Sequence, residues 1–462
     1  MRPLAPLLSA LLLCAARPAL ATPAPDGPTD THPVLADIAK DVSAERLHAT
    51  IARLVGFGTR HTASDSASPT RGIGAARAWV KGEFEALGRG CGGCLIVATP
   101  AQTVTGPRYA KPTEIVDVLG IQRGGGDPNR VVVISAHIDS RVTDVMNATS
   151  DAPGANDDAS GVAAVLEAAR VLSHHKFQAT IVYAVLSGEE QGLSGGKVLA
   201  DYATSEGWKV EADLNNDIIG NTHGGNGVHD DRRIRIFSEG TKAVETDRQA
   251  AVRRYNGGEL DSPSRNLARF MDDLARRYPI GLEVEMVYRT DRYGRGGDQV
   301  RMLEAGFPAV RVTEAAENYD RQHQDLRTEN GRAYGDVIEG VDFPYLAKVT
   351  RLNAVTLAAL AWAPAPPEGL KIAGGVSYDT TLTWQASAGA AGYRVWRRAT
   401  TDPRWREGVW AGAVTTLKLK DVIVDDEFFG VSAVSADGFA SPVEFPGPAG
   451  SFVAVPDAPA GK

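Results

Sequence analysis

Three short groups of residues in this 462-residue chain carry side chains that do chemistry: His137-Ile138-Asp139, Asn156-Asp157-Asp158 and Glu189-Glu190. The first and last stand where apolar runs stop. Val131 to Ala136 (VVVISA) ends at His137, and Thr180 to Leu186 (TIVYAVL) ends at Ser187-Gly188-Glu189-Glu190. Runs of this length and composition predict buried strands. In an open α/β sheet the loops at the carboxyl ends of the strands meet in one crevice. An imidazole and several carboxylates are thereby aimed at one point, a donor set that suits zinc, whose catalytic sites keep a position open for water.

Two more candidate donors follow. Asp217 interrupts the short apolar stretch LNNDIIG, and His323 lies in YDRQHQD, just beyond a predicted strand over Phe307 to Val312. Five donors exceed what one tetrahedral zinc takes. They fit two zinc ions that share a carboxylate at a separation of roughly 3.5–4 Å.

The order HxD, NDD-ASG, EE, NxD and a late His resembles the M28 family of zinc aminopeptidases, over roughly Pro33 to Trp362. The motifs are His137 and Asp139, Asp157 within PGANDDASG, Glu189 and Glu190 within SGEEQGLSG, Asp217, and His323. The resemblance implies a zinc exopeptidase-like fold. It further implies that His137 and Asp217 bind one zinc, Glu190 and His323 the other, and Asp157 bridges them. Glu189 would be the general base, and Asp139 would orient His137 from behind. Asp158 follows the bridge directly and would serve geometry. Two departures touch the substrate pocket. Where some members carry Tyr before the last His this chain has Gln322, and where many have SDH it reads GGDQ, ending at Asp298-Gln299.

The elements that must hold these groups alternate. Helical periodicity is present at Ser43 to Val55, Ala75 to Leu87, Ser160 to Leu172 and Tyr345 to Trp362. Interleaved with the apolar runs, this predicts an α/β fold with a mainly parallel central sheet flanked by helices. The polar loop GFGTRHTASDSASPT contains His61, read as an ordinary loop residue because the metal sphere is already full. NTHGGNGV (221–228) and DRYGRGGD (291–298) are Gly-rich without a nucleotide-binding context and are expected to rim the substrate cleft, with His223 and His229 solvated.

The chain length predicts more than one domain. Residues 1–21 read as a secretory signal cleaved after Ala21; lipidation at Cys14 is disfavoured because Leu13 precedes it. Residues 22–32 are Pro-rich and expected to lack structure. Residues 33–362 form the peptidase-like part, and 363–369 (APAPPEG) a Pro-rich linker expected to space two domains. Residues 370–462 alternate with turns and predict a small all-β sandwich that resembles a fibronectin type III module, with Trp384 and Tyr393 in its core. Cys91 and Cys94 (CGGC) read as a small-loop disulfide in an exported chain. The rival readings are a zinc half-site without a second pair and a redox motif without its βα setting. No later stretch is apolar enough to span a membrane, and a net charge of −8 gives no electrostatic reason to bind nucleic acid. Oligomeric state is not legible.

These readings converge on an exported two-zinc aminopeptidase acting on peptides with free N-termini. A single-zinc glutaminyl-cyclase-like transferase is disfavoured because both ligand pairs are intact. A noncatalytic relative is disfavoured because every donor and the base are present. A zinc carboxypeptidase needs a basic clamp for the substrate carboxylate, and the sequence does not single one out.

Overall fold

The computed structural model describes residues 27–406 and 408–453. The signal-peptide reading, Cys14 and residues 22–26 lie outside them. In chain order the helices are α1 (Pro33–Asp41), α2 (Ala44–Val55), α3 (Gly72–Gly90), α4 (Ala159–Leu172), α5 (Ser194–Ser205), α6 (Asp247–Asn256), α7 (Pro263–Arg277), α8 (Gln299–Glu304) and α9 (Phe343–Trp362). The strands before α9 are β1 (Leu95–Ala98), β2 (Ala101–Val104), β3 (Thr113–Val116), β4 (Val118–Gln122), β5 (Arg130–His137), β6 (Thr180–Leu186), β7 (Lys209–Asn216), β8 (Arg233–Phe237), β9 (Glu283–Val287), β10 (Ala309–Glu314), β11 (Arg327–Glu329) and β12 (Arg332–Tyr334).

Eight strands form one sheet in the order β1-β4-β6-β5-β7-β10-β8-β9. The four central neighbours β6, β5, β7 and β10 are mutually parallel. Antiparallel pairings at β4–β6 and β10–β8 pass to the flanks. Alternation along each strand sorts side chains to two faces. Val132, Ile134 and Ala136 of β5 join Ala212, Leu214, Val310 and Val312 in a core roofed by α2, α4 and α9. Val131 and Val133 face the opposite side with Leu199, Ala203, Met302 and Leu303 of α5 and α8. On that second face Ser135, Asp213, Asn215 and Arg311 replace apolar residues as the strands near their carboxyl ends, and all four are buried. The last predicted strand begins two residues later than expected, because Phe307-Pro308 form its approach.

Cys91 and Cys94 are joined as a disulfide just after α3. Beyond α9 lie β13 (Lys371–Ala373), β14 (Thr380–Thr383), β15 (Gly392–Ala399), β16 (Val409–Gly412), β17 (Thr416–Leu419) and β18 (Glu427–Val434). They make two three-stranded antiparallel sheets, β13-β14-β17 and β16-β15-β18. Between them Trp384 and Tyr393 pack at 5.3 Å beside Leu382, Val395, Phe429 and Val431.

This part is fused to the rest and not spaced from it, against the expectation for a Pro-rich linker. Ala363, Pro364, Pro366 and Pro367 are buried, and Arg130, paired with Glu211 at 2.8 Å, also donates to the Ala363 carbonyl. Arg398 of β15 forms a fully buried two-point pair with Asp261 at 2.6 and 2.7 Å. Arg404 pairs with Asp272 of α7 at 2.6 Å. Phe439 stacks on His32 and packs on Trp362, entering the main core. Linker prolines expose too little surface to solvent to act as a spacer once both their flanks are buried. The Pro-rich start is likewise engaged from Gly27 on: Asp30 lies 3.4 Å from Arg277 and 3.5 Å from Arg394.

Candidate metal centre

The candidate donors all sit at the carboxyl ends of the four central parallel strands. His137 is the last residue of β5, Glu189 and Glu190 follow β6, Asp217 follows β7, and His323 lies in the segment after β10. Asp157 lies between β5 and α4. Asp158 caps α4, its Oδ1 accepting from Gly161 N at 2.9 Å. The same carboxylate accepts from His137 N and Ile218 N at 3.2 and 3.3 Å. One side chain thus ties the β5 end, the β7 end and the helix start, a geometric role. Gly161 is required there: a Cβ would stand 2.4 Å from Asp158 Oδ2 and 2.7 Å from the Asn216 carbonyl.

Two triads result. His137, Asp157 and Asp217 bring one donor atom each within 4.8 Å of one another, and Asp157, Glu190 and His323 do the same. Asp157 belongs to both, through different oxygens: Oδ1 is 3.2 Å from His137 Nε2, and Oδ2 is 3.1 Å from His323 Nε2. His137 Nε2 and Glu190 Oε1 are buried without a hydrogen bond, a cost that a coordinated cation removes. His137 Nδ1 hydrogen-bonds the Asp139 carbonyl at 3.0 Å. A carbonyl only accepts, so Nδ1 carries a proton and Nε2 is the nitrogen that faces Asp157 and Asp217, the one a metal would take.

The electrostatics tell the same story. Burial opposes charge on His137, yet Asp139, Asp157 and Asp217 hold its pKa well above the usual imidazole value. Burial likewise opposes charge on His323, while Glu190 and Asp157 push it up to about 10. Asp217 is held low, against its burial, by Arg311 and then His137. Carboxylates this crowded demand positive charge, and a divalent metal with histidine and carboxylate ligands supplies it.

Asp139 differs in detail from the expectation. Its carboxylate stands 3.5 Å from His137 Nδ1, while the residue's own carbonyl makes the hydrogen bond. The carboxylate instead grips the next loop, accepting from Gly188 N at 2.9 Å, Glu189 N at 3.3 Å and Glu190 N at 3.1 Å, and from Thr62 Oγ1 at 2.9 Å. Gly188, with φ +78°, makes the turn that aims these amides at it. Glu189 belongs to neither triad. Burial, with Asp217, Glu190 and Asp298 nearby, raises its pKa well above the ordinary carboxylate value.

His61 is buried and bonded to the Val145 carbonyl at 2.9 Å, and belongs to neither triad. His223 and His229 are exposed and stacked on each other at 4.2 Å. Other residues of the site escaped the sequence reading. Arg60, fully buried, donates to the carbonyls of Ile138, Pro153 and Gly154 at 2.7, 2.5 and 2.8 Å, joining the two loops that carry His137 and Asp157. Asp336 accepts from Asn156 N and Asp157 N at 2.9 and 2.7 Å. Arg141 Nε donates to Glu190 Oε2 at 2.8 Å, and its Nη2 lies 2.6 Å from His323 Nδ1. Arginine has no acceptor, so His323 Nδ1 accepts from it in the neutral ring, the form whose Nε2, facing Asp157 and Glu190, would bind a metal. Arg311 could have been noticed as a charge within an apolar strand; the others lie in loops where no pattern marks them.

Residues 117–341 match the family model of Peptidase family M28. A "Probable zinc metalloprotease" of Leptosphaeria maculans is 44% identical over 414 residues, covering 88% of this chain and 96% of the relative. One of Pyrenophora teres f. teres is 43% identical over 432 residues, covering 92% of this chain and 88% of the relative. The chain belongs to peptidase family M28. Among solved structures, this M28 peptidase is similar in fold to the Legionella pneumophila LapA aminopeptidase, with a TM-score of 0.51, 20% identity, and 73% of this chain and 77% of that one covered. It is also similar to an aminopeptidase from Aneurinibacillus sp. strain AM-1, with a TM-score of 0.50, 14% identity, and 71% and 96% covered. Membership makes the protein a hydrolase of the zinc metallopeptidase class, acting on peptides. Among the described residues no helix is long and apolar enough to cross a membrane.

Proposed function

We propose that this M28 peptidase is an exported aminopeptidase that holds two zinc ions. His137 and Asp217 ligate one, Glu190 and His323 the other, and Asp157 bridges them. The observation that carries this reading is the pair of triads sharing Asp157 through opposite oxygens, with Glu189 beside both and in neither. When bound, zinc supplies a Lewis acid for the scissile carbonyl and acidifies the attacking water.

The chain's own residues do the rest. Glu189 accepts the proton of the water and delivers it to the leaving amine. Asp139 holds the Glu189–Glu190 backbone in place, Asp158 and Arg60 fix the loops of His137 and Asp157, and Arg141 orients Glu190 and His323. Such outer partners govern metal affinity as well as geometry.

In the same reading residues 1–21 are a signal peptide, 33–362 the peptidase part, and 370–462 a fibronectin type III-like module. The two three-stranded sheets around Trp384 and Tyr393 support the last assignment. The test is a release assay on paired peptides with free and acetylated N-termini, with zinc measured on the same sample. Two zinc ions per chain and cleavage of the free peptide alone are expected. One ion per chain, or equal cleavage of both peptides, overturns the reading.

A further inference from the structure

A group of guanidiniums stands beside the triads, and the reaction above makes no use of it. Arg235 comes from β8, Arg292 and Arg295 from the 291–298 loop, and Arg311 from β10. Arg235 Nη2 is 2.6 Å from Glu317 Oε1, while Arg295 Nη1 and Arg292 Nη1 are 3.0 and 3.5 Å from Glu317 Oε2. Arg292 Nε also lies 3.4 Å from Asp291. Arg311 Nη1 is 2.7 Å from Asp217 Oδ2 and 3.6 Å from Asp291 Oδ2. Four cations therefore face Glu317, Asp291, Asp217 and, through Arg311, Glu189; with Asp217 committed to the metal triad and Glu189 to proton transfer, Glu317 and Asp291 are the carboxylates left to them.

The group's position is fixed at both ends. Arg292 Nη2 is 3.9 Å from Asp217 Oδ2, and Arg295 Nη2 donates to Gln322 Oε1 at 3.2 Å, one residue before His323. It runs from Asp217 of one triad to the residue before His323 of the other. Arg292 is largely buried, whereas the Arg295 side chain is 33% exposed, open to an incoming ligand. The two places where the sequence departs from its family, Gln322 and the loop ending at Asp298, meet here through Arg295.

Partly buried cations in excess of their anions are completed by an anionic ligand, and a guanidinium matches a carboxylate through two parallel N–H donors. We propose that Arg295 and Arg292 form a specificity site for a carboxylate of the substrate, carried close to the scissile bond. This rests on the peptidase reading above and narrows its substrate class. The carboxylate has two possible sources: an acidic side chain on the N-terminal residue, or the free C-terminus of a dipeptide.

The experiment uses the zinc-loaded full chain and two pairs of substrates. Glutamyl- and glutaminyl-p-nitroanilide differ only in the side-chain carboxylate; Leu-Gly and Leu-Gly-amide differ only in the terminal one. In one pair the carboxylate member is expected to have a kcat/KM about 10- to 100-fold higher, the range for a hydrogen bond to a charged group, and that pair names the source. In Arg295→Gln and Arg292→Gln the ratio should fall towards one. Calorimetric titration of the same four compounds into Glu189→Gln protein reads the preference without turnover. Ratios near one in both pairs, by rate and by binding, overturn the proposal, as does a preference that survives both substitutions. A binding preference with no hydrolysis by the wild-type chain would uphold this site and overturn the peptidase reading instead.

Discussion

Glu189 and Glu190 are chemically identical neighbours with different surroundings. Glu190 is tied to Arg141 and joins a triad; Glu189 does neither. Glu189→Gln preserves shape and removes the proton acceptor, so kcat should fall by roughly 10²–10⁴ while zinc content stays at the wild-type level. Loss of zinc in that variant would make Glu189 a ligand. Asp213 carries a separate prediction about pH. Burial, and then Asp298, raises it to about 7, against a single hydrogen bond from Ser135 Oγ at 2.8 Å. Its folded state binds a proton more tightly than its unfolded state. The stability it contributes is therefore complete below about pH 4 and is lost as pH rises to about 7. Asp298 and Asp336, each also raised to about 7, act with the same sign. The protein should resist urea better at pH 5 than at pH 8. Asp213→Asn should narrow that difference by stabilising the pH 8 state, on the order of 2 kcal/mol. A flat urea midpoint across this range would show that Asp213 is ionised in the fold.

At the scale of elements, the four central strands bring together donors that are up to 186 residues apart in sequence. Their arrangement was legible where a strand is an apolar run that stops at a chemically distinctive residue, and not at β7 and β10, whose sequences KVEADLNN and AVRVTE mix polar with apolar residues. β5 and β6 announce His137 and Glu189 in this way, and α4 announces itself through its apolar face and the Asp158 cap. Arg60 and Asp336 were illegible for the opposite reason. Their partners are backbone carbonyls and amides, which every residue possesses, so no residue type elsewhere in the chain betrays the contact. Arg60 joins two ligand loops, and its effect should be on both. Arg60→Lys keeps the charge but loses the planar fork, and zinc affinity is expected to drop about 10- to 100-fold, as for partners of ligands generally. Competition with a chromogenic chelator measures it, and unchanged affinity would reduce Arg60 to a stabilising residue.

Across the whole molecule, the Pro-rich stretch after α9 misled because proline content specifies stiffness and says nothing about burial. The β-rich part beyond it is held by Arg398–Asp261, by Arg404–Asp272 and by Phe439 in the main core. Arg398→Ala leaves part of a buried carboxylate uncompensated and should cost about 3–5 kcal/mol, read from urea unfolding. A chain ending at Ala363 should lose its cooperative transition, and one that unfolds like the full-length protein would show the attachment to be superficial. The unequal exposure of the two histidines reaches further, into time. The His137 side chain is 1% exposed and that of His323 27%. The two proposed ions would therefore leave at very different rates: one through the open side past His323, the other only when the loops joined by Asp158 and Arg60 separate. Dialysis against a chelator should release zinc in two phases. The half-emptied protein should live long enough to accept a different metal in the outer position, giving a mixed-metal enzyme by kinetics alone.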